Sequence, residues 1–190
     1  MSQGETPPET ADDGLRTAVL EIERHAAEAG WDQPARLFAL VETAHLLERE
    51  PQLAASIGES PLTPIEQEGL APGRALEDQL TGISWPETVH GCAALVERVV
   101  LPPAAESALP DEPTRAASFA SEHPDRQEVR IVAAATRTGA SCCALRMRAH
   151  DSDDAVLVGP DLVPGLVALV RETLDGSGTL GPDDPLEEAP

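Results

Sequence analysis

The residues with the greatest capacity for chemistry form a short acidic run near the C-terminal end of the chain, residues 150–154. Carboxylate oxygens are the ligands that Mg²⁺ and Ca²⁺ prefer, so His150, Asp151, Asp153 and Asp154 are candidate metal ligands. The run does not match a calcium-binding EF-hand loop, because the sixth position counted from Asp151 is valine where glycine is required. The alternative, which we favour, is a solvated acidic loop, since that is how such runs usually behave.

Three arginines are candidates for holding an anion. Arg146 and Arg148 are two residues apart in a segment with strand character, so their side chains are expected on one face. Arg98 can join them if its own strand lies alongside in a suitable register. Forked hydrogen bonds from arginine would then hold a carboxylate ligand or an acidic segment of a partner. The alternative, which we weight more heavily, is pairing with the protein's own carboxylates, such as Glu97 or Glu128.

The cysteines offer a weaker prospect of thiol chemistry. Cys142 and Cys143 are adjacent, and neighbouring side chains on a strand point to opposite faces, which disfavours a disulfide between them. His90 and Cys92 bring a base and a thiol together in sequence, but the fold, not sequence proximity, assembles catalytic pairs. The sequence contains none of the common nucleophile, phosphate-loop, dinucleotide or zinc-protease motifs. We therefore predict no catalytic residue and no cofactor.

The elements that must position these residues follow from apolar periodicity. Helices are predicted over residues 15–29, 44–57, 75–81, 114–122 and 161–174, and strands over residues 36–42, 92–101, 128–137 and 141–150. Pro51 breaks or restarts the second helix. Residues 61–73, with several prolines and glycines, are interpreted as an irregular connection. The order of elements predicts an α+β fold, in which a mostly antiparallel sheet of about four strands has its helices packed on one face.

The chain is expected to form one domain between two tails. Residues 14–174 are assigned to a single α+β domain. Residues 1–13 and 175–190 contain nine acidic and no basic residues. Both ends are also rich in Pro, Gly, Ser and Thr, a composition that cannot repay the entropy of ordering, so both are predicted to be disordered acidic tails.

Charge and composition limit the classes of partner. The formal net charge is −21, and all 13 basic residues are arginine. Such a surface repels phosphate backbones and anionic headgroups, which disfavours nucleic acid and membrane and favours a protein partner with a basic or hydrophobic segment. A homo-oligomer is a further option. The sequence has no signal peptide and no membrane-spanning run, and its three cysteines suit a reducing compartment, so we expect a cytoplasmic protein.

Several segments resemble a family of uncharacterised, conserved proteins from actinobacteria. They are WPETVHGCAALVERVVLPP, HPDRQEVRIVAA and CALRMRAHDSDDAVLVGPDLVPGLVALVRETL. The resemblance covers residues 15–174 and implies a cytoplasmic protein, without an assigned activity, cofactor or catalytic residue. The order of elements is also similar in topology to the small α+β domains of type III secretion chaperones, although a shared fold does not imply a shared function.

These observations favour a non-catalytic, acidic protein-binding or adaptor protein with chaperone-like character. The expectation rests on the negative charge, the acidic tails and the lack of catalytic motifs. The alternative is a small enzyme, or a domain that binds a divalent metal or an anion, using residues 146–154.

Overall fold

The computed structural model describes residues 11–71 and 73–175. The helices in this part of the chain are α1 (Ala11–Glu28), α2 (Thr43–Arg49), α3 (Leu76–Leu80), α4 (Pro103–Glu106), α5 (Pro113–Glu122) and α6 (Pro164–Asp175). The strands are β1 (Arg36–Glu42), β2 (Leu62–Gln67), β3 (Gly91–Val100), β4 (Gln127–Thr136), β5 (Ser141–Met147) and β6 (Leu157–Gly159). Short 3₁₀ helices lie at Pro51–Ala55, Arg148–His150 and Asp153–Ala155. The fold is α+β, as the sequence predicts.

The strands form one sheet in the order β2-β1-β3-β4-β5-β6, and every neighbouring pair is antiparallel. The prediction of about four strands is too low. It misses β2, in the segment interpreted as irregular, because Pro64 argues against a strand; yet β2 is a terminal strand, where proline is tolerated. It also misses β6, which has three residues and too short a pattern to predict.

Helices cover both faces of the sheet, so the prediction that they pack on one face is wrong. Alternate residues of β3 show this directly. Ala93 and Leu95 belong to the apolar cluster beneath α1, whereas Cys92, Ala94 and Val96 belong to the cluster beneath α3 and α6. Because both sides are buried, the central strands are apolar at almost every position, which is the pattern of strands covered on both faces.

Most predicted elements are confirmed, with shifts of a few residues at their ends. The strand predicted over residues 36–42 has those bounds, and Pro51 begins the 3₁₀ helix that follows α2. The strand predicted to run to residue 150 ends at Met147, so Arg148 and His150 lie in a 3₁₀ helix. Residues 11–13 belong to α1, where acidic side chains suit the first turn of a helix. Asp175 belongs to α6; the rest of both predicted tails lies outside the described residues.

Two connections between neighbouring strands are far longer than antiparallel pairing requires. A hairpin can be closed with about two residues. Residues 43–61 nevertheless separate β1 from β2, and residues 101–126 separate β3 from β4. Few of their described residues are buried: Thr43 is the buried residue of α2, Leu101 and Ala105 are buried in the second connection, and none of the described residues of α5 is buried.

None of the helices in the described ranges has both the length and the apolar composition that crossing a bilayer requires.

Candidate functional site

The candidate Arg146 lies inside the protein, between β5 and α1. Its side chain is 3% exposed, and it forms a two-pronged ion pair with Glu23 of α1. Nε donates to Glu23 Oε1 at 2.6 Å and Nη2 donates to Oε2 at 2.8 Å. Glu23 is itself buried. The guanidinium therefore has an internal counter-ion, as the pairing alternative predicts, although the partner is on a helix that the sequence does not connect with it.

A second arginine, Arg130, adjoins this pair and carries no signal in the sequence analysis. The register of the sheet places it opposite Arg146 on one side and Glu97 on the other. Its side chain is wholly buried, and both Nε (3.2 Å) and Nη2 (2.9 Å) donate to Glu97 Oε1. Nη1 lies 3.9 Å from Glu23 Oε1. The guanidinium also lies 4.4 Å from the centre of the Trp31 ring, a cation–π contact.

The acidic run at residues 150–154 supplies further counter-ions to Arg146. Asp153 Oδ1 accepts from Nη2 at 2.7 Å, and Asp151 Oδ1 accepts from Nη1 at 3.3 Å. The hydrogen bond from Arg146 lowers the pKa of the Asp153 carboxyl below its ordinary value. His150 and Asp154 are exposed and do not join this cluster. Among the residues described, no three His, Cys, Asp or Glu side chains are grouped so as to hold a metal ion.

Arg148 and Arg98 also have partners within the chain. Arg148 forms a two-pronged pair with Asp32, with both N–O distances 3.0 Å, and it also donates to Glu128. Arg98 points to the other face of the sheet and pairs with Glu77 of α3 at 2.6 Å. The structure therefore does not assemble Arg98, Arg146 and Arg148 into one anion site.

A surface cavity of about 360 Å³ does lie beside these residues, and its charges are balanced. It is lined by the arginines Arg98, Arg126 and Arg148, by the carboxylates of Asp32, Glu97 and Glu128, and by Trp31, Val99 and Ser121. Each arginine has a carboxylate within 4.0 Å. An incoming anion would have to displace that carboxylate, so the cavity has no cation ready to bind it.

The ion pairs bind the loop between α1 and β1 to the sheet. Glu97 Oε2 accepts from the backbone N–H of Asp32 at 2.7 Å and of Gln33 at 3.3 Å. Trp31 Nε1 donates to Asp151 Oδ2 at 2.9 Å. Trp31 thus lies over the guanidinium of the buried Arg130. We call this network the clamp, because it joins α1 and the loop after it to β3, β4 and β5. Its members are Glu23, Trp31, Asp32, Glu97, Arg130, Arg146, Arg148, Asp151 and Asp153.

The three cysteines are buried, reduced thiols, and none is placed for catalysis. Cys142 packs beneath α1 and Cys143 on the opposite face, so the predicted opposition of the two side chains is confirmed, and both are buried. Cys92 Sγ lies 3.3 Å from Thr173 Oγ1, and burial raises the pKa of this thiol to about 11. His90 faces Glu42 instead, so His90 and Cys92 form no dyad.

A different site appears where the loop before β3 approaches the end of β1. His90 is held in place by its backbone, whose N–H donates to Leu40 O at 2.9 Å and whose carbonyl accepts from Arg137 N at 3.0 Å. The Arg137 side chain ties down the same loop and the end of α6 by donating to four carbonyls, those of Trp85, Pro86, Val89 and Leu174. Gly91 fits tightly, because a Cβ there would lie 2.5 Å from Ala135 O.

His90 lines one side of an open groove of about 540 Å³ beneath the long β1–β2 connection. The walls are largely apolar and include Ala44, Leu47, Ala54, Ile57, Pro61 and Leu62. The polar lining consists of Glu42, Thr43, Glu59, Ser60 and His90. His90 Nδ1 is 3.5 Å from Glu42 Oε1. A mostly apolar concavity of this size with a few converging polar groups is typical of a binding site.

The groove contains an unused hydrogen-bonding atom. Ser60 Oγ is buried, and no group in the described chain hydrogen bonds to it. Buried polar atoms normally have a partner, so this hydroxyl is an unsatisfied group in the wall of the groove. No arginine belongs to the lining, whereas two carboxylates do.

The sequence pattern does not predict this groove. Its lining comes from residues 42–62 together with His90, and only the pairing of β1 with both β2 and β3 brings these together. A partial signal exists in the charge pattern: residues 42–68 contain six glutamates and one arginine. All six glutamates, Glu42, Glu48, Glu50, Glu59, Glu66 and Glu68, are exposed.

Comparison with known proteins gives one match. A family model described as PPA1309-like protein matches residues 15–175. No curated protein and no solved structure matches this chain.

Proposed function

The chain belongs to the PPA1309-like protein family, whose description names no activity, and we propose that it is a non-catalytic binding or adaptor protein for another protein. The segment it binds is basic and carries apolar side chains. The protein holds that segment without changing it chemically, in the manner of a chaperone.

The observation that carries this proposal is a difference between the positive and the negative side chains: several arginines are paired inside the protein, whereas many glutamates are exposed. Arg130, Arg146 and Arg148 are engaged with carboxylates inside the clamp, and Arg137 is engaged with backbone carbonyls. Many glutamates outside the clamp are exposed, as in residues 42–68. The outward field is therefore negative, which attracts basic partners and repels acidic ones.

The side chains that are candidates for metal binding or catalysis favour a binding function over a catalytic one. Asp151 and Asp153 are bonded to Arg146, and the three thiols are buried. The alternative of a metal or anion site at residues 146–154 would require breaking the clamp, which would leave Arg146 buried without its full set of counter-ions.

We also propose that the protein acts in the cytoplasm of an actinobacterium. The three buried, reduced thiols are compatible with a reducing compartment. The sequence uses arginine as its only cation besides histidine and contains no lysine or asparagine, a bias expected of G+C-rich coding.

The test is selection from a library of random displayed peptides on the immobilised full-length protein at low salt. We expect enrichment of sequences that combine Arg or Lys with aliphatic residues, and binding that weakens as salt is raised, because exposed charges are screened. Enrichment of acidic sequences, or no enrichment over the bare support, would show that the proposal is wrong.

A further inference from the structure

We propose that the groove beneath the β1–β2 connection is the docking site, and that its occupant is a protein segment that places an aliphatic side chain against Leu47 and Ile57 with an adjacent Arg or Lys at Glu42 and Glu59. This inference rests on the proposed function and deepens it by naming the site. Neither the family description nor the sequence pattern assigns a role to these residues.

The first support is the apolar surface that the connection leaves uncovered. Leu47 and Ile57 are half-buried, and Ala44 and Ala54 are exposed, although all four line one concavity. A connection of about two residues would have joined β1 to β2. Residues 43–61 instead form α2 and a 3₁₀ helix, in which Thr43 is the one described residue that is buried. An aliphatic side chain entering the groove would cover that surface.

The second support is charge complementarity. Glu42 and Glu59 line the groove, and no arginine does. Glu42 and His90 also line an adjoining cavity of about 280 Å³ that includes Glu87 and His45. A lysine or arginine beside the apolar anchor would meet carboxylates, whereas an acidic residue would meet like charge.

The extent of the negative surface selects a protein segment over a small molecule. The groove is partly open to solvent. Glu48 and Glu50 are exposed on the same connection but are not part of the lining, so a ligand confined to the groove would not touch them. An extended segment that follows the connection past the groove would meet these further carboxylates.

The experiment measures fluorescence polarisation with a short labelled peptide composed of leucine, arginine and serine, and with two comparison peptides in which glutamate replaces arginine or serine replaces leucine. The protein is the full chain. The groove variants are Ile57→Ser, which removes an apolar wall, and the double variant Glu42→Gln with Glu59→Gln, which removes the charge. The matched control for charge is Glu106→Gln with Glu122→Gln, on the other long connection. The matched control for apolar loss is Leu157→Ser, which is 58% exposed on β6.

We expect each groove variant to weaken binding of the leucine–arginine peptide by about tenfold or more, and each control to change it by less than about twofold. Wild-type protein should bind both comparison peptides at least about tenfold more weakly. The melting temperature of each variant verifies folding. The Glu42/Glu59 double variant alters only exposed side chains, so it still tests the proposal if Ile57→Ser unfolds. Amide chemical shift changes on titration should centre on residues 42–62 and 90.

The outcomes separate the two proposals. Tight peptide binding that is unaffected by both groove variants would overturn the groove as the site and leave the proposed function standing. A peptide that fails to bind the wild-type protein at low salt would overturn both. Equal binding of the glutamate peptide would overturn the basic occupant, and sedimentation as a dimer that dissociates in Ile57→Ser would assign the groove to a second copy of the chain instead.

Discussion

The carboxylate of Glu23 on α1 is buried against the guanidinium of Arg146 on β5, with N–O distances of 2.6 and 2.8 Å. The two residues are separated by 123 positions in the chain. Arg130 lies on the other side of the same carboxylate, so Glu23 faces two buried cations. Removing one member of a buried pair leaves the other charge uncompensated in a medium that solvates it poorly.

We expect Glu23→Ala to lower the free energy of unfolding by about 3–5 kcal/mol, because Arg146 and Arg130 remain buried without their shared counter-ion. Urea unfolding followed by circular dichroism measures the loss. The control is Glu28→Ala on the same helix; its side chain is 73% exposed, and we expect a change within about 0.5 kcal/mol. A loss below about 1 kcal/mol in Glu23→Ala would show that the clamp contributes little.

The backbone of β4 lies so close to Gly91 that we expect any side chain at this position to destabilise the fold. A Cβ would lie 2.5 Å from Ala135 O and 3.2 Å from Thr136 Cα, both backbone atoms of β4. We expect Gly91→Ala to cost about 1–3 kcal/mol, the usual range for overpacking. Gly58→Ala is the control, because nothing lies within 4 Å of its added Cβ. Equal stability of the two variants would contradict the close approach of β3 to β4.

Asp153 gives a prediction for acid stability. Its hydrogen bond from Arg146 lowers the pKa of the carboxyl. A group whose pKa is lower in the folded state stabilises the fold above its unfolded pKa, and this contribution is lost as the pH falls through the folded value. We therefore expect Asp153→Asn to lower the melting temperature at neutral pH and the difference from wild type to shrink as the pH falls from about 5 towards 2.

The control for this titration is Asp154→Asn, since Asp154 is exposed and forms no ion pair with the described residues. Its melting temperature should follow that of the wild type at every pH. A deficit in Asp153→Asn that is constant with pH would show that the carboxylate charge is not what stabilises the loop.

The thiols should resist modification in the native protein. Burial raises the pKa of Cys92 to about 11 and also raises that of Cys143. Because the thiolate is the nucleophile, we expect slow reaction with an aromatic disulfide reagent at about pH 8, and release of three equivalents after unfolding. Ser118→Cys, at an exposed position on α5, should add one fast equivalent. Fast reaction of wild-type protein in native buffer would contradict the burial of all three.

Local sequence pattern predicted the elements that have a clear period. β1 is an unbroken apolar run, and its predicted bounds match the structure. α1 has helical spacing and is where it was expected, apart from its first turn. β2 was missed because Pro64 and the nearby glycines outweigh its short apolar alternation, and only its terminal place in the sheet makes the proline acceptable.

The candidate site was less predictable, because charged residues reveal their role only through their partners. The sequence predicted that Arg146 and Arg148 pair with carboxylates such as Glu97 or Glu128. Arg148 does bond to Glu128, but Arg146 bonds to Glu23 and Asp153, and Glu97 pairs with Arg130. Arg130 drew no attention, although a charge amid the apolar residues of β4 implies a buried partner. The groove had only the glutamates of residues 42–68 as a signal.

The sequence by itself determined the acidic balance, the α+β class and most of the helices and strands, because composition and periodicity are properties of neighbouring residues. The tertiary structure alone decided that helices cover both faces of the sheet, that Glu23 compensates Arg146, and that His90 meets Ile57 and Glu59 around one groove. These relationships join residues that are distant in the chain, and they are fixed by the order in which the strands pair. Strands pair through backbone hydrogen bonds, which any sequence of suitable pattern can form, so the sequence does not reveal that order.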